Sequence, residues 1–193
     1  MNIFNSLKLW LDENQYHYIG HGSYAIAYQK GEVVLRIPRG QDFDYSRWKE
    51  FYKTCHSIHV PTLLKEFKFQ NLEIVALPKY LPINTGSLAD YLYRFVRNSI
   101  LVDVPRNDLP GFLDSYLKNK LFKSALPFRD KILESISTEF DFYDFLLQNQ
   151  QNLDMTSKNG MMTATGTMII TDPLHSEGPI PWHSFSKNPL IPN

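Results

Sequence analysis

Two aspartates and an asparagine near the end of the chain have the types and spacing of a metal-dependent catalytic site. Asn159 follows Asp154 by five positions, and Asp172 comes thirteen positions after Asn159. Between the last two, the sequence predicts an apolar hairpin with its turn at 163–167, whose strands return to their starting point. Asn159 and Asp172 should therefore lie side by side, with Asp154 on the preceding loop. Their oxygens suit a divalent cation, and one carboxylate could act on a hydroxyl group.

The composition predicts a protein with a packed core, in one sizeable domain or two small lobes. The chain has 193 residues, of which 43% are hydrophobic, so disorder is not expected. Its 20 basic and 20 acidic residues give a formal net charge of zero. This balance argues against a nucleic-acid-binding protein that depends on a strong positive field, and we expect no direct binding to nucleic acid.

The sequence also predicts a cytoplasmic protein without a membrane segment. Cys55 is the only cysteine, so no intramolecular disulfide can form and a reducing compartment suits the chain. Residues 3–13 have apolar residues at helical spacing, interrupted by charges, unlike the continuous apolar segment of a signal peptide. No window approaches the roughly 20 apolar residues that cross a bilayer.

The first part of the chain predicts a β-rich lobe with a glycine-bearing turn. The predicted strands are residues 18–19, 25–28, 33–37, 67–69 and 72–77. Gly20 and Gly22 lie in the turn after the first strand. Such a turn is either an ordinary β-turn or one whose backbone N–H groups can approach phosphate oxygens, since no Cβ stands in the way.

One cation, Arg36, interrupts the apolar third strand. It either extends its guanidinium into water from an edge or surface position or clamps a phosphate that faces the glycine turn. Residues 43–58 predict a helix, on which Glu50 is either a solvated charge or the partner of Arg36. His56 and His59 near the end of this helix are interpreted as capping or surface residues rather than metal ligands.

The second part of the chain predicts helices. The segment 78–82 is bounded by prolines and is the candidate hinge between two lobes, which places the domains at 1–80 and 81–193. Beyond it, helices are predicted at 86–101, 108–123 and 127–150, the last with a wide apolar stripe typical of a buried central helix. The end of the chain, 173–193, holds five prolines and predicts an irregular tail.

The order of these features resembles that of a protein kinase: a glycine turn, a strand cation, a hinge, D-x-x-x-x-N and a later aspartate. The resemblance narrows to the early serine/threonine protein kinases of T7-like bacteriophages. The segments LDMTSKNGMM and ITDPL look like that family's D-M-x-S-x-N motif and its I-T-D-P in place of D-F-G. The stretch IGHGSYAIAY is similar to its glycine loop.

The resemblance implies an α+β, bilobal protein-kinase-like fold with a small antiparallel β-rich N-lobe and a reduced helical C-lobe. It also implies ATP and Mg²⁺ as cofactors, with Asp154 accepting the substrate proton and Asn159 and Asp172 holding the metal. The residues implied to bind the nucleotide are Gly20, His21, Gly22, Ser23, Tyr24, Ala25, Arg36 and Glu50. Host bacterial proteins, including the transcription and RNA-processing machinery, are the implied substrates in the host cytoplasm.

Three positions depart from the kinase pattern. Arg36 stands where kinases use lysine, Ala25 replaces the third glycine, and Asn152 takes the place of the histidine before the catalytic aspartate. Arginine and lysine are not equivalent beside a phosphate, because a planar fork differs from a point charge. Two further functions are therefore kept open: a catalytically weak kinase-like protein that binds and inhibits a host factor, and a small-molecule kinase.

Overall fold

The first part of the chain forms a five-stranded antiparallel sheet. The computed structural model describes residues 3–22, 24–39, 43–139, 141–156, 159–174 and 190–191. The strands lie in the order β1-β2-β3-β5-β4. They are β1 (His17–His21), β2 (Ala25–Lys30), β3 (Val33–Pro38), β4 (Lys65–Phe69) and β5 (Leu72–Pro78). The predicted strands of this region are all present, and their antiparallel arrangement is confirmed.

Tight turns set the register that places Arg36 in the middle of the sheet. Gly31 (φ 55°) and Gln70 (φ 53°) adopt the left-handed conformation that two-residue hairpin turns require. Arg36 of β3 is paired with Ala27 on one side and Val75 on the other. The edge position considered for Arg36 is therefore wrong, because β3 has a strand on both sides.

One face of this sheet is closed by the N-terminal helix α1 (Ile3–Glu13). Leu7 and Leu11 of α1 are fully buried in one cluster with apolar residues of the strands: Ile26, Tyr28, Leu35, Ile37, Ile74 and Ala76. Successive strand residues point to opposite faces, so the buried Leu35 and Ile37 place Arg36 on the face away from α1. Its half-buried position follows from this alternation.

The chain end returns to the same core. Leu190 is fully buried within the cluster, and its carbonyl oxygen accepts a hydrogen bond of 2.7 Å from the Tyr28 hydroxyl. Burial raises the pKa of Tyr28 to about 12. The predicted irregular tail lies outside the described residues between 175 and 189 and at 192–193.

Tyr28→Phe should lower the free energy of unfolding by about 1–2 kcal/mol at neutral pH, because a buried carbonyl loses its phenol donor. The folded pKa lies near 12 and the unfolded value near 10, so unfolding releases a proton within this window and the parent loses stability as the pH rises from 10 to 12. The variant should lose less over the same window. Urea unfolding of both proteins at pH 8 and at pH 10–11.5 measures the difference, and equal losses would contradict this role of Tyr28.

Six α-helices are present in the described part of the chain. They are α1, α2 (Phe43–Thr54), α3 (Leu88–Leu101), α4 (Leu109–Lys118), α5 (Arg129–Glu139) and α6 (Asp141–Gln148). Together with the sheet they confirm the mixed α+β class. None of the described helices is long and apolar enough to cross a membrane.

Three predicted helices are shorter than expected. The predicted helix 43–58 ends at Thr54, and the predicted helix 108–123 ends at Lys118 and continues as a 3-10 segment, Lys120–Phe128. The predicted single helix 127–150 is two helices, α5 and α6. Near the end of α5, the hydroxyls of Ser137 and Thr138 donate to the carbonyls four residues earlier, and such bonds weaken and bend a helix.

A second, three-stranded sheet contains the predicted hairpin. Its strands are β6 (Leu81–Pro82), β7 (Gly160–Met162) and β8 (Met168–Ile170), in that order. The sequence predicted only two of these strands. The third, β6, lies within the proposed hinge segment 78–82, and its Leu81 pairs with Met162. Pro82 is tolerated because β6 is an edge strand.

The chain divides into two compact units. One contains Met1–Phe43, Thr62–Lys79 and Ser176–Asn193, and the other contains Asp44–Pro61 and Tyr80–His175. Nearly all of α2 thus belongs to the unit of the later helices. The bilobal kinase-like arrangement, with domains at 1–80 and 81–193, stays a prediction.

Candidate functional site

The hairpin between Asn159 and Asp172 forms as predicted. The carbonyl oxygen of Asn159 accepts the Thr171 backbone N–H at 2.9 Å and the Thr171 hydroxyl at 3.1 Å. At the far end, the N–H of Thr163 donates to Thr167 at 2.9 Å, and Gly166 has a φ of 88° that suits glycine. Asn159 and the residue before Asp172 are therefore direct neighbours.

Asp154 is tied to the same place by its own backbone. Its N–H donates to the carbonyl of Pro173 at 2.7 Å. Its carbonyl accepts a hydrogen bond of 2.6 Å from Nδ2 of the Asn159 side chain. The three predicted residues thus converge through hydrogen bonds at one end of the small sheet, and each is half-buried, so solvent and ligands can reach them.

The donor chemistry of this cluster fits Mg²⁺. Since Nδ2 of Asn159 donates to the loop, Oδ1 is the atom of that amide that could bind a cation. Asp154 and Asp172 add two carboxylates from neighbouring backbone positions. Mg²⁺ is commonly bound through one or two carboxylates, with waters and phosphates completing its shell. Within the described residues, no group of three His, Cys, Asp or Glu side chains is placed to hold a metal; this cluster has only two carboxylates and an amide.

Tyr93 of α3 supports the loop that carries Asp154. Ser87 begins α3 by accepting the N–H of Asp90 at 3.2 Å, an N-cap that satisfies one helix donor. The Tyr93 hydroxyl donates to the carbonyl of Thr156 at 2.6 Å. Burial raises the pKa of Tyr93, so it remains a proton donor at neutral pH.

The ring of Tyr93 explains why a glycine follows Asn159. A Cβ at Gly160 would lie 2.7–2.9 Å from three ring carbons of Tyr93. A glycine inside a strand marks such close approaches. The sequence therefore contained a signal for this contact, but not the identity of the residue that makes it.

Two side chains from α2 and the following loop contact the strand that leads to Asp172. Nε1 of Trp48 donates to the carbonyl of Thr171 at 3.1 Å, and Nδ1 of His59 lies 2.9 Å from the carbonyl of Met168. The interpretation of His59 as a capping or surface residue is wrong, because its exposed fraction is only 2%. Its ring packs edge-on against Phe142 with centroids 5.6 Å apart, and no short-range sequence pattern announces this contact.

Gly20 and His21, predicted to lie in the glycine turn, belong to β1 and pair with Ala27 and Ile26 of β2. The connection between the two strands begins at Gly22. The register is irregular between Tyr18 and Gly20. The N–H of Gly22 donates to the carbonyl of Ala25 at 2.9 Å, so this amide is engaged within the turn. Ser23 lies outside the described residues. The ring of His21 is hydrogen-bonded to the Tyr18 hydroxyl.

Arg39, which sequence reasoning did not select, holds this turn from the end of β3. Its Nη1 donates to the carbonyl of Gly22 at 2.7 Å, and its backbone N–H donates to the carbonyl of Tyr24 at 2.8 Å. The residue is 9% exposed, and burial lowers the pKa of its guanidinium. A cation directly after Pro38 was visible in the sequence, but its partner was not.

Arg36 and Glu50, whose pairing was one of two alternatives for Glu50, belong to different units. Arg36 lies in the middle of the five-stranded sheet. Glu50 lies on α2, where its carboxylate accepts a hydrogen bond of 2.9 Å from Lys53. Its side chain is 67% exposed, so this ion pair contributes little to stability. The pairing of Arg36 with Glu50 stays a prediction.

The predicted site residues thus lie in two groups within the described chain. Asp154, Asn159 and Asp172 are brought together in one unit, whereas the glycine turn and Arg36 lie in the other. Comparison with known proteins assigns the chain to no family: no family model matches it, and no curated protein matches it either.

Proposed function

We propose that this protein is a Mg²⁺-dependent kinase that transfers the γ-phosphate of ATP to a hydroxyl group. The observation that carries the proposal is the convergence of Asp154, Asn159 and Asp172. Backbone hydrogen bonds of Asp154 and of the two neighbours of Asp172, Thr171 and Pro173, bring them together. Phosphoryl transfer needs little covalent chemistry from the protein, because positioning and charge neutralisation supply most of the rate. A base and a metal site held by one short hairpin meet that need.

Each residue then has a separate role. Asp154 accepts the proton of the acceptor hydroxyl. The hydroxyl oxygen forms a bond to the γ-phosphorus while the bond between that phosphorus and the ADP oxygen breaks. Asn159 and Asp172 hold Mg²⁺, which when bound neutralises charge on the phosphates. The resemblance assigns phosphate binding to residues 20–25 and to Arg36, whose guanidinium suits a phosphate.

The resemblance to the early kinases of T7-like bacteriophages supplies the proposed acceptor. On this basis the hydroxyl belongs to serine or threonine in host bacterial proteins, including the transcription and RNA-processing machinery. A small-molecule kinase shares the same aspartates and asparagine, so the acceptor has to be tested directly.

One observation favours a second candidate, a kinase-like binding protein with weak turnover. The Gly22 amide donates to Ala25, so in this conformation it does not point a free N–H at a phosphate. Arg36 in place of lysine acts in the same direction, because a guanidinium places its donors in a fixed fork. Such a protein would bind its host target without modifying it.

The test is phosphate transfer from labelled ATP with Mg²⁺, using bacterial lysate and, in parallel, aminoglycosides and choline as acceptors. We expect label on proteins, and Asp172→Asn should lower transfer on the order of 10²–10³-fold, because it removes several kcal/mol of metal-mediated stabilisation. Asp141→Asn is the matched control: this carboxylate lies in the same unit and pairs with Arg106 at 3.1 Å.

The outcomes separate the candidates. If only the small molecules are labelled, the protein is a small-molecule kinase and not a protein kinase. Nucleotide binding without transfer, including transfer to the protein itself, would favour the binding protein. Transfer that is equal in the parent and in Asp172→Asn would exclude the proposed metal site.

A further inference from the structure

We propose that Trp48 and His59 are positioning residues that hold Asp172 in the orientation needed for metal binding. The inference rests on the proposed function, since it concerns the metal ligand of that site. Neither residue is among those expected to contact ATP, Mg²⁺ or the acceptor. Both act through the backbone of residues 168–171, the stretch that leads directly to Asp172.

This stretch needs support because the sheet that contains it is small. β8 has three residues and lies at one edge of the order β6-β7-β8. The third strand, β6, adds only two residues to this sheet. A two-stranded hairpin is marginally stable on its own in water, and an edge strand leaves backbone groups without a neighbouring strand. A metal ligand two residues beyond such a strand would be poorly fixed by the sheet alone.

His59 takes the place of the missing strand at this edge. Its carbonyl accepts the N–H of Ile170 at 2.9 Å, and its Nδ1 lies 2.9 Å from the carbonyl of Met168. A carbonyl oxygen can only accept, so Nδ1 carries the proton. One residue thus satisfies an acceptor and a donor two positions apart on β8, as a paired strand would.

Trp48 acts at the next step along the chain. Its indole N–H donates to the carbonyl of Thr171 at 3.1 Å, while the N–H of Thr171 donates to Asn159 at 2.9 Å. The carbonyl of Thr171 and the N–H of Asp172 belong to one planar peptide group. A hydrogen bond that fixes the Thr171 carbonyl therefore also fixes the orientation of the peptide plane that precedes the Cα of Asp172.

The indole itself has little freedom to move. Trp48 is 0% exposed, its ring stacks on Phe51 with centroids 5.4 Å apart, and it lies 5.5 Å from Phe145. A donor on a ring packed in this way is held in place. Mg²⁺ demands near-ideal octahedral geometry, so a small rotation of the carboxylate is costly, and loss of residues that orient ligands typically lowers metal affinity about 10–100-fold.

The first test compares Trp48→Phe with Tyr45→Phe. The first variant removes the indole donor and keeps an aromatic ring. The second removes a buried hydroxyl bonded to Tyr52 at 2.9 Å on the same helix. Mn²⁺ binding in the presence of ATP, measured by electron paramagnetic resonance, should be about 10–100-fold weaker in Trp48→Phe and near that of the parent in Tyr45→Phe.

A second pair of variants tests His59. Asparagine can present its amide nitrogen where Nδ1 stands, whereas leucine cannot donate. We expect His59→Asn to retain most of the Mn²⁺ affinity that His59→Leu loses. A general packing role would instead favour the more apolar leucine, so the order of the two variants distinguishes positioning from packing.

Asp172→Asn and hydrogen exchange separate the possible failures. If the parent binds Mn²⁺·ATP no better than Asp172→Asn, the proposed function fails and this inference fails with it. If Asp172→Asn weakens binding but Trp48→Phe equals Tyr45→Phe, only the positioning role is overturned. Amide exchange of residues 168–172 should rise in Trp48→Phe and His59→Leu without ligand, and unchanged exchange in both would also overturn it.

Discussion

Asp154→Asn is expected to lower phosphate transfer about 10²–10⁴-fold, the contribution typical of a positioned general base, with little change in nucleotide binding. Asp154 makes two hydrogen bonds to described residues, and both come from its backbone. The N–H donates to Pro173 at 2.7 Å, and the carbonyl accepts from Asn159 at 2.6 Å. Asparagine keeps both bonds, so the loop should retain its geometry. Single-turnover transfer and ATP binding by calorimetry measure the two quantities.

The comparison with Asp141→Asn removes the effect of a lost surface charge, since Asp141 lies in an exposed pair with Arg106. That variant should transfer phosphate at close to the parent rate. Asp154 is not the base if Asp154→Asn keeps a rate within tenfold of the parent at saturating substrate. A loss of transfer that is accompanied by a clear fall in Tm would show instead that the substitution disturbs the fold.

Gly160→Ala is expected to lower the free energy of unfolding by about 1–3 kcal/mol, the usual cost of an overpacked core. The added Cβ would lie 2.7–2.9 Å from the ring of Tyr93. The ring cannot easily retreat, because Tyr93 is 5% exposed and its hydroxyl is bound to Thr156. At about 2–4 °C for each kcal/mol in a protein of this size, Tm should fall by roughly 2–12 °C.

Gly111→Ala is the matched control. Gly111 lies in α4 with open space around the position of a Cβ, so alanine should stabilise the protein by about 0.5–1 kcal/mol through helix propensity. Thermal unfolding of both variants, and of Gly160→Ala combined with Tyr93→Ala, tests the cause. The Tyr93 contact is the wrong explanation if Gly160→Ala costs as much without the ring as with it.

Local sequence patterns were enough to predict the antiparallel strands and the hairpin of the site. Strands joined by two- to five-residue turns meet because the chain between them is too short to separate them. The neighbourhood of Asn159 and Asp172 follows from this rule, since one hairpin joins them. The alternation of burial along β3 likewise separates Arg36 from Leu35 and Ile37.

Helix ends and the small sheet show where local patterns fail. Residues 127–150 carry a continuous apolar stripe, yet they form α5 and α6, because hydroxyl bonds to the helix backbone compete with the regular ladder. The third strand of the small sheet, β6, was not predicted, because Leu81 pairs with Met162. Its partner lies far along the chain, and propensity contains no information about so distant a contact.

By itself, the sequence determined the adjacency of Asn159 and Asp172 through one hairpin and the mixed α+β class. Only the tertiary structure decided what holds them: Trp48 reaches a residue 123 positions away, His59 one 109 away and Tyr93 one 63 away. Such contacts depend on how buried faces pack, and many side chains satisfy the same apolar pattern. The adjacency of the candidate residues was therefore predictable from the sequence, whereas the contacts that hold them depend on long-range packing.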